Sequence, residues 1–186
     1  MIAPDRYCLP VPHTVALVAM GASSRDYLNA AAQHGGRHEV ADEVWAINSM
    51  GEIIEHDRLF VMDDLAELMR DGRGIGKKVA NGMLRWLPSH PGPIYMVRAY
   101  PQIAGAVEYP MIDVLNHVGF PYLNNSVAYA VAYAMAAGVK VLKCYGCDFT
   151  YREQNVGEAG RGCVEWLLGM AGRDGMKIEL PPTTTL

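Results

Sequence analysis

The adjacent carboxylates Asp63-Asp64 directly follow the apolar run at residues 58–62 (RLFVM), and of all pairs in the chain they are the most suited to acid–base chemistry. One of them could take a proton from an attacking hydroxyl. Together they could also hold Mg²⁺ against diphosphate oxygens, since hard oxygen donors suit that ion. The plainer alternative is that Asp64 caps a following helix while Asp63 orders the loop. A second candidate is Gly21-Ala22-Ser23-Ser24, which closes the apolar run at residues 13–20 (HTVALVAM). A small-residue loop entering a helix offers backbone N–H groups and a positive dipole end to a phosphate. Here the GxGxxG spacing is absent and no acidic residue ends the second strand to hold a ribose, so a tight turn with a helix cap explains the loop equally well. Asn48, Arg98 and Asp148 also terminate apolar runs.

Other motifs lose on inspection. Gly72-Arg73-Gly74-Ile75-Gly76-Lys77-Lys78 has neither the spacing nor the preceding strand of a P-loop, and reads as a surface loop. Cys144 and Cys147 have redox-motif spacing, but they close a buried strand instead of opening a helix, so core thiols are expected. With Cys8 and Cys163 they are too few and too irregular for a disulfide framework. No histidine follows His117, which leaves the C-terminal third without an imidazole base. Tyr95, Tyr100, Tyr109 and Tyr122 are candidates either for a cleft lining or for half-buried packing.

The elements that must position these residues alternate. Strands are expected at residues 13–20, 43–47, 58–62, 93–97, 139–145 and 176–180. Helices are expected at 25–33, 64–70, 77–87, 110–117, 126–137 and 158–172. Ser23 and Asp26 suggest a capping box with Asp in place of Glu, and Gly138 a C-cap. Strands alternating with helices predict an α/β, Rossmann-like three-layer sandwich around a mostly parallel sheet, with residues 1–186 as one nucleotide-binding domain. In such sheets ligands bind outside the carboxyl ends of the strands, where the polar residues above fall.

Composition sets the outer bounds. The 186 residues, 51% hydrophobic with a mean hydropathy of +0.03, supply one sizeable core and exclude a disordered chain. A net charge of −4 gives no general attraction to nucleic acid or anionic lipid. The longest apolar stretch, residues 127–137, is shorter than a membrane span requires, and the N-terminal residues lack a secretory pattern. A cytoplasmic location is therefore expected, and a homo-oligomer is compatible with the sequence.

Read together, Gly21-Ala22-Ser23-Ser24, Asn48, Asp63, Asn125-Ser126-Val127-Ala128-Tyr129 and Gly146-Cys147-Asp148-Phe149 resemble a known group. They are similar to the bacterial sialyltransferases of glycosyltransferase family 42 and the related motility-accessory-factor and archaeal hydroxymethylpterin diphosphokinase domains. That group has a Gly-x-Gly-Pro-Ser loop after the first strand, Asn after the second and Asn or Asp after the third. A Ser-Gly-type start to an Ala-rich helix follows, then Gly-x-Asp-Phe. The resemblance spans residues 13–180, most specifically 125–149, while the first loop is degenerate.

The resemblance implies a nucleotide or nucleotide-sugar held by Gly21, Ala22, Ser23, Ser24, Asn48, Asn125, Ser126 and Asp148, with Asp63 or Asp64 as the catalytic carboxylate. Transferases of this kind work without metal, whereas the diphosphokinase relatives bind a nucleoside triphosphate with Mg²⁺. The sialyltransferases carry a histidine-bearing lid after the Gly-x-Asp-Phe strand. Here residues 150–157 (TYREQNVG) offer Tyr151 and Arg152 but no histidine. The expected function is glycosyl transfer to an acceptor, set against Mg²⁺-dependent diphosphoryl transfer and a non-catalytic nucleotide-binding module.

Overall fold

β-Branched and aromatic residues dominate the short runs that form strands, and seven of them assemble into one sheet: Thr14–Val18 (β1), Glu43–Ile47 (β2), Arg58–Val61 (β3), Ile94–Met96 (β4), Ala106–Glu108 (β5), Val141–Tyr145 (β6) and Lys177–Glu179 (β7). The computed structural model describes Tyr7 and residues 9–65, 77–150 and 154–186. Every pairing is parallel, in the order β5-β4-β3-β2-β1-β6-β7. Val15, Ala16, Leu17 and Val18 of the central strand are all fully buried, because helices cover both faces and leave no alternation for the sequence to display. The fold is thus the expected α/β Rossmann-like sandwich.

The described helices are Ser24–His34 (α1), Lys77–Trp86 (α2), Met111–Val118 (α3), Ser126–Ala137 (α4) and Gln154–Arg173 (α5). One core packs α1 and α2 against the sheet through Tyr27, Met83, Ala46, Val61 and Met96. The other packs α3, α4 and α5 through Val114, Val131, Trp45, Phe60 and Leu167. In α4 the alanines let the backbone approach the sheet and both neighbouring helices, so ten of its twelve residues are buried. Gly138 ends it in the left-handed conformation, its N–H bonding to the Ala134 and Met135 carbonyls.

Two elements depart from expectation. Strand β5 is only three residues (AVE) at the sheet edge, too short to show a pattern. The capping box does not form: Ser23 has helical dihedrals and makes no side-chain cap bond, while Asp26 accepts a bond from the Thr183 hydroxyl at 2.6 Å. The helix expected at 64–70, beyond its first two residues, and the glycine run at 72–76 lie outside the described residues, as do Cys8, Tyr151 and Arg152. Cys144, Cys147 and Cys163 are buried free thiols, and their burial fits the core reading. For Cys147 a bond with Cys144, followed by burial, pushes the thiol upward.

Polar pairs lock the N-terminal ends of the strands. Arg58, 4% exposed, bonds Glu43 through Nε at 2.6 Å and Nη2 at 2.9 Å. Its Nη1 reaches the Tyr95 and Tyr133 hydroxyls, and Nη2 also holds the Pro10 carbonyl. Trp45 donates its indole N–H to Glu43 at 2.6 Å. Close by in the chain, the loops before β3 and β4 are joined by His56 and His90, whose Nε2 atoms lie 3.0 Å apart in stacked rings. His90 Nδ1 accepts the Gly92 N–H and His56 Nδ1 meets the Ile54 carbonyl. These partners leave His90 Nε2–H to donate to His56 Nε2, an arrangement that requires both rings neutral.

Burial, then the neighbouring His56, pushes His90 down to about 4, and burial lowers His56 as well. The unfolded chain therefore takes up protons first as pH falls. The stability from this pair is complete above the ordinary histidine range and is lost as pH drops from there toward the folded value. For a half-buried ring the loss should be about 1–2 kcal/mol, read as a fall in melting temperature between about pH 7.5 and pH 4.5. The double variant His56→Gln/His90→Gln should flatten that part of the profile. An unchanged profile would contradict the neutral-pair assignment.

Candidate functional site

The strand order reverses between β1 and β6, so the crevice beyond their carboxyl ends is the first place in this topology to look for a ligand. The protein fills that crevice with its own groups. The Asp148 carboxylate accepts the Ser23 N–H at 2.7 Å on Oδ2 and the Ser23 hydroxyl at 2.6 Å on Oδ1. The Ser23 hydroxyl in turn accepts the Gly146 N–H at 2.8 Å. Gly21 donates to the Gly146 carbonyl, and Ser24 to the Gly21 carbonyl. Ser23 is fully buried and Asp148 is 3% exposed. A carboxylate thus sits at the start of α1 where a phosphate would sit in an anion-binding loop.

This latch dictates its glycines. A Cβ on Gly21 would lie 2.4 Å from Asp148 Oδ2. Gly146 has φ +68°, and a Cβ there would meet the Ala19 carbonyl oxygen at 2.1 Å. The C-terminal segment braces the latch from outside, with the Thr185 hydroxyl donating to the Asp148 carbonyl. The run of threonines is the only sequence sign of that contact. The donors expected to face a phosphate from Ser23 are therefore turned inward.

The start of α4 is arranged differently. Asn125 is its N-cap, with Oδ1 accepting the Ala128 N–H at 3.0 Å, while Nδ2 reaches Asn124 and the Gly160 carbonyl of α5. The first-turn amides of Ser126 and Val127 have no intrahelical acceptor, a consequence of helix geometry. Ser126 Oγ lies 3.4 Å from Asn48 Oδ1, which brings the end of β2 to the start of α4. Asn48 has φ +52°, a left-handed conformation that Asn tolerates better than most residues but which still stores about 1 kcal/mol. Phe149 has the same φ of +52°, a stronger outlier for a bulky side chain, and its ring lies where a Cβ on Gly160 would be, 2.8 Å from Cε1. Strained residues at strand ends are a mark of sites that hold a ligand.

The carboxylate pair divides. Asp64 bonds Arg98 Nη2 at 2.7 Å and the Tyr100 hydroxyl at 2.9 Å, and that hydroxyl also accepts the Leu65 N–H. Asp63 is half-buried at the end of β3 and bonds its own amide. It has no cationic partner among the described residues. Burial holds its carboxyl above the usual carboxylate range. Of the tyrosines, Tyr100 joins this edge, Tyr95 and Tyr109 are buried, and Tyr122 lies on the outer surface. Tyr100 as the holder of Asp64 was not legible beforehand.

Among the described residues no group of three His, Cys, Asp or Glu could hold a metal ion. With Arg98 and Tyr100 already on Asp64, the pair does not present two carboxylates to Mg²⁺. Nor is any described helix long and apolar enough to cross a membrane. The fold and this edge define an α/β Rossmann-like protein with its candidate polar site at the strand carboxyl ends. Compared with protein-family models and with curated proteins, the chain matches none.

Proposed function

We propose that this chain is a glycosyltransferase-like protein that binds a nucleotide or nucleotide-sugar at the carboxyl edge of its sheet. The observation that carries the reading is the junction of Asn48 with Ser126 at the start of α4, one strand from Asp63. The resemblance to the sialyltransferase group supports it independently at the same positions. The phosphate would be received by the first-turn amides of α4, the Ser126 hydroxyl and the Asn48 side chain, since the α1 loop is occupied by Asp148.

In the reaction, an acceptor hydroxyl oxygen bonds to the anomeric carbon as the bond from that carbon to the phosphate oxygen breaks. The phosphate leaves with the electron pair, and the acceptor proton passes to Asp63. A carboxyl raised by burial is a stronger base than an exposed one. Donors fixed around the departing phosphate stabilise charge as it develops. The engagement of Asp64 by Arg98 favours this metal-independent route over diphosphoryl transfer.

A thermal-shift screen of nucleoside phosphates and nucleotide-sugars is the test. At least one should raise the melting temperature, and Asn48→Ala or Ser126→Ala should weaken its binding about tenfold, the value of one or two hydrogen bonds to a charged group. With the best donor, turnover should persist in EDTA and show an acid limb above the ordinary carboxylate range, lost in Asp63→Asn. Binding without turnover would favour the non-catalytic module, and turnover abolished by EDTA would favour diphosphoryl transfer. If no nucleoside phosphate shifts the protein, the reading fails.

A further inference from the structure

On the outer surface, Phe120 and Tyr122 from the segment between α3 and α4 close on Trp166 of α5. Their ring centroids lie 5.5 and 6.4 Å from the indole and 6.3 Å from each other. These three large rings are 52%, 39% and 39% exposed. Contiguous aromatic surface of this kind marks an interaction site more often than isolated exposed residues do.

The helix beside them has an uncommon charge order. At about 100° per residue, the midline of its exposed face runs through Gly162 and Gly169. Glu165 and Trp166 flank the centre, with Glu158 toward one end and Arg173 toward the other. A Cβ at Gly162 or Gly169 would meet nothing within 4 Å, unlike one at Gly160, which would strike Phe149. The fold has no use for these two glycines, yet each costs about 1 kcal/mol against alanine in a helix.

We propose that this face is a self-association surface, on which α5 packs antiparallel against α5 of a second copy about a two-fold axis between Glu165 and Trp166. In that register Glu158 faces the second copy's Arg173, and Gly162 faces its Gly169. Symmetry makes each contact twice. The opposite charges lie about 11 Å on either side of the axis. A parallel pairing would instead set Glu158 against Glu158 and Arg173 against Arg173. The paired glycines let the two backbones approach closely, and the three rings of each copy gather beside the axis. Charge complementarity under one rotation is what selects a second copy over an unrelated helix. The 20-residue helix and its flanking rings suit an interface at the small end of the specific range, about 1,200 Å² in total.

Sedimentation velocity on the full chain tests this across about 1–200 μM, the range where an interface of that size is expected to associate. The wild type should show a concentration-dependent dimer. Glu158→Arg should weaken it about tenfold, and adding Arg173→Glu should restore it to within about threefold, because the paired charges are exchanged. Gly162→Leu and Gly169→Leu should abolish it without lowering the melting temperature of the monomer, since leucine is the better helix former. A wild type that stays monomeric throughout overturns the proposal. So does a dimer that Gly169→Leu and Glu158→Arg leave intact.

Discussion

Replacing Asp148 with alanine should lower stability by about 3–4 kcal/mol, because a buried carboxylate with two hydrogen bonds is lost and the Ser23 N–H and hydroxyl are left without it. Ser23→Ala should cost about 2 kcal/mol, as it removes one donor to Asp148 and the acceptor of the Gly146 N–H. The double variant should cost clearly less than the two together, since both changes dismantle one network. Gly21→Ala should destabilise as well, its new methyl overlapping Asp148 Oδ2. Urea unfolding measures all four. The same variants separate scaffold from site. Ser23→Ala should lower stability while leaving the affinity of any nucleotide ligand within about twofold, whereas Asn48→Ala should do the reverse. A Ser23→Ala protein that folds with full stability but loses the ligand would return the phosphate site to the α1 loop.

The second large effect lies at the opposite edge. Arg58→Ala removes the cation from a cluster that holds Glu43, Tyr95, Tyr133 and the Pro10 carbonyl, leaving the Glu43 carboxylate with Trp45 as its remaining buried donor. A broken buried pair costs about 3–5 kcal/mol, largely through the charge left behind. Arg58→Met with Glu43→Leu should therefore cost less than the sum of its parts, with a coupling of about 2 kcal/mol. Chemical denaturation of the single and double variants supplies the cycle, and simple additivity would show that the two side chains do not depend on one another. Arg58→Lys should recover little, because an ammonium cannot span the two Glu43 oxygens as a guanidinium does.

Local pattern carried much of the fold. Residues 43–47 were legible as β2 to the residue, and β1, β3 and β6 to within one or two, because burial on both faces leaves a continuous apolar run. Strand β5 was not legible, since three residues at an edge have no period. Nor was the tight turn at Asn48–Glu52, which follows from where β2 ends. For the site, the positions were legible and the partnerships were not. Ser23 satisfies every local rule for a helix cap, yet its hydroxyl is taken by a carboxylate 125 positions away, which no window on the sequence reveals. Asp63 and Asp64 look equivalent on paper. They separate because Arg98 and Tyr100, one strand over, reach only the second. Arg58 carried a faint signal, for adjacent strands open with Glu43 and Arg58, opposite charges in paired register.

The reversal of strand order has a kinetic side. β1 can pair with β2 early, across a short stretch of chain, but its other edge must wait for β6, with β2 to β5 and four helices intervening. Contacts between such distant segments are slow to form because the chain must close a long loop before anything rewards it. Until then β1, apolar on both faces, presents an unpaired edge to solvent and to other chains. The docking of α4 and β6 should therefore be the late, rate-limiting event of folding, followed in refolding by protection of the Val15–Val18 amides from hydrogen exchange. Asp148 and Ser23 meet only when that event is complete, so their hydrogen bonds should contribute little to the folding rate and much to slowing its reversal.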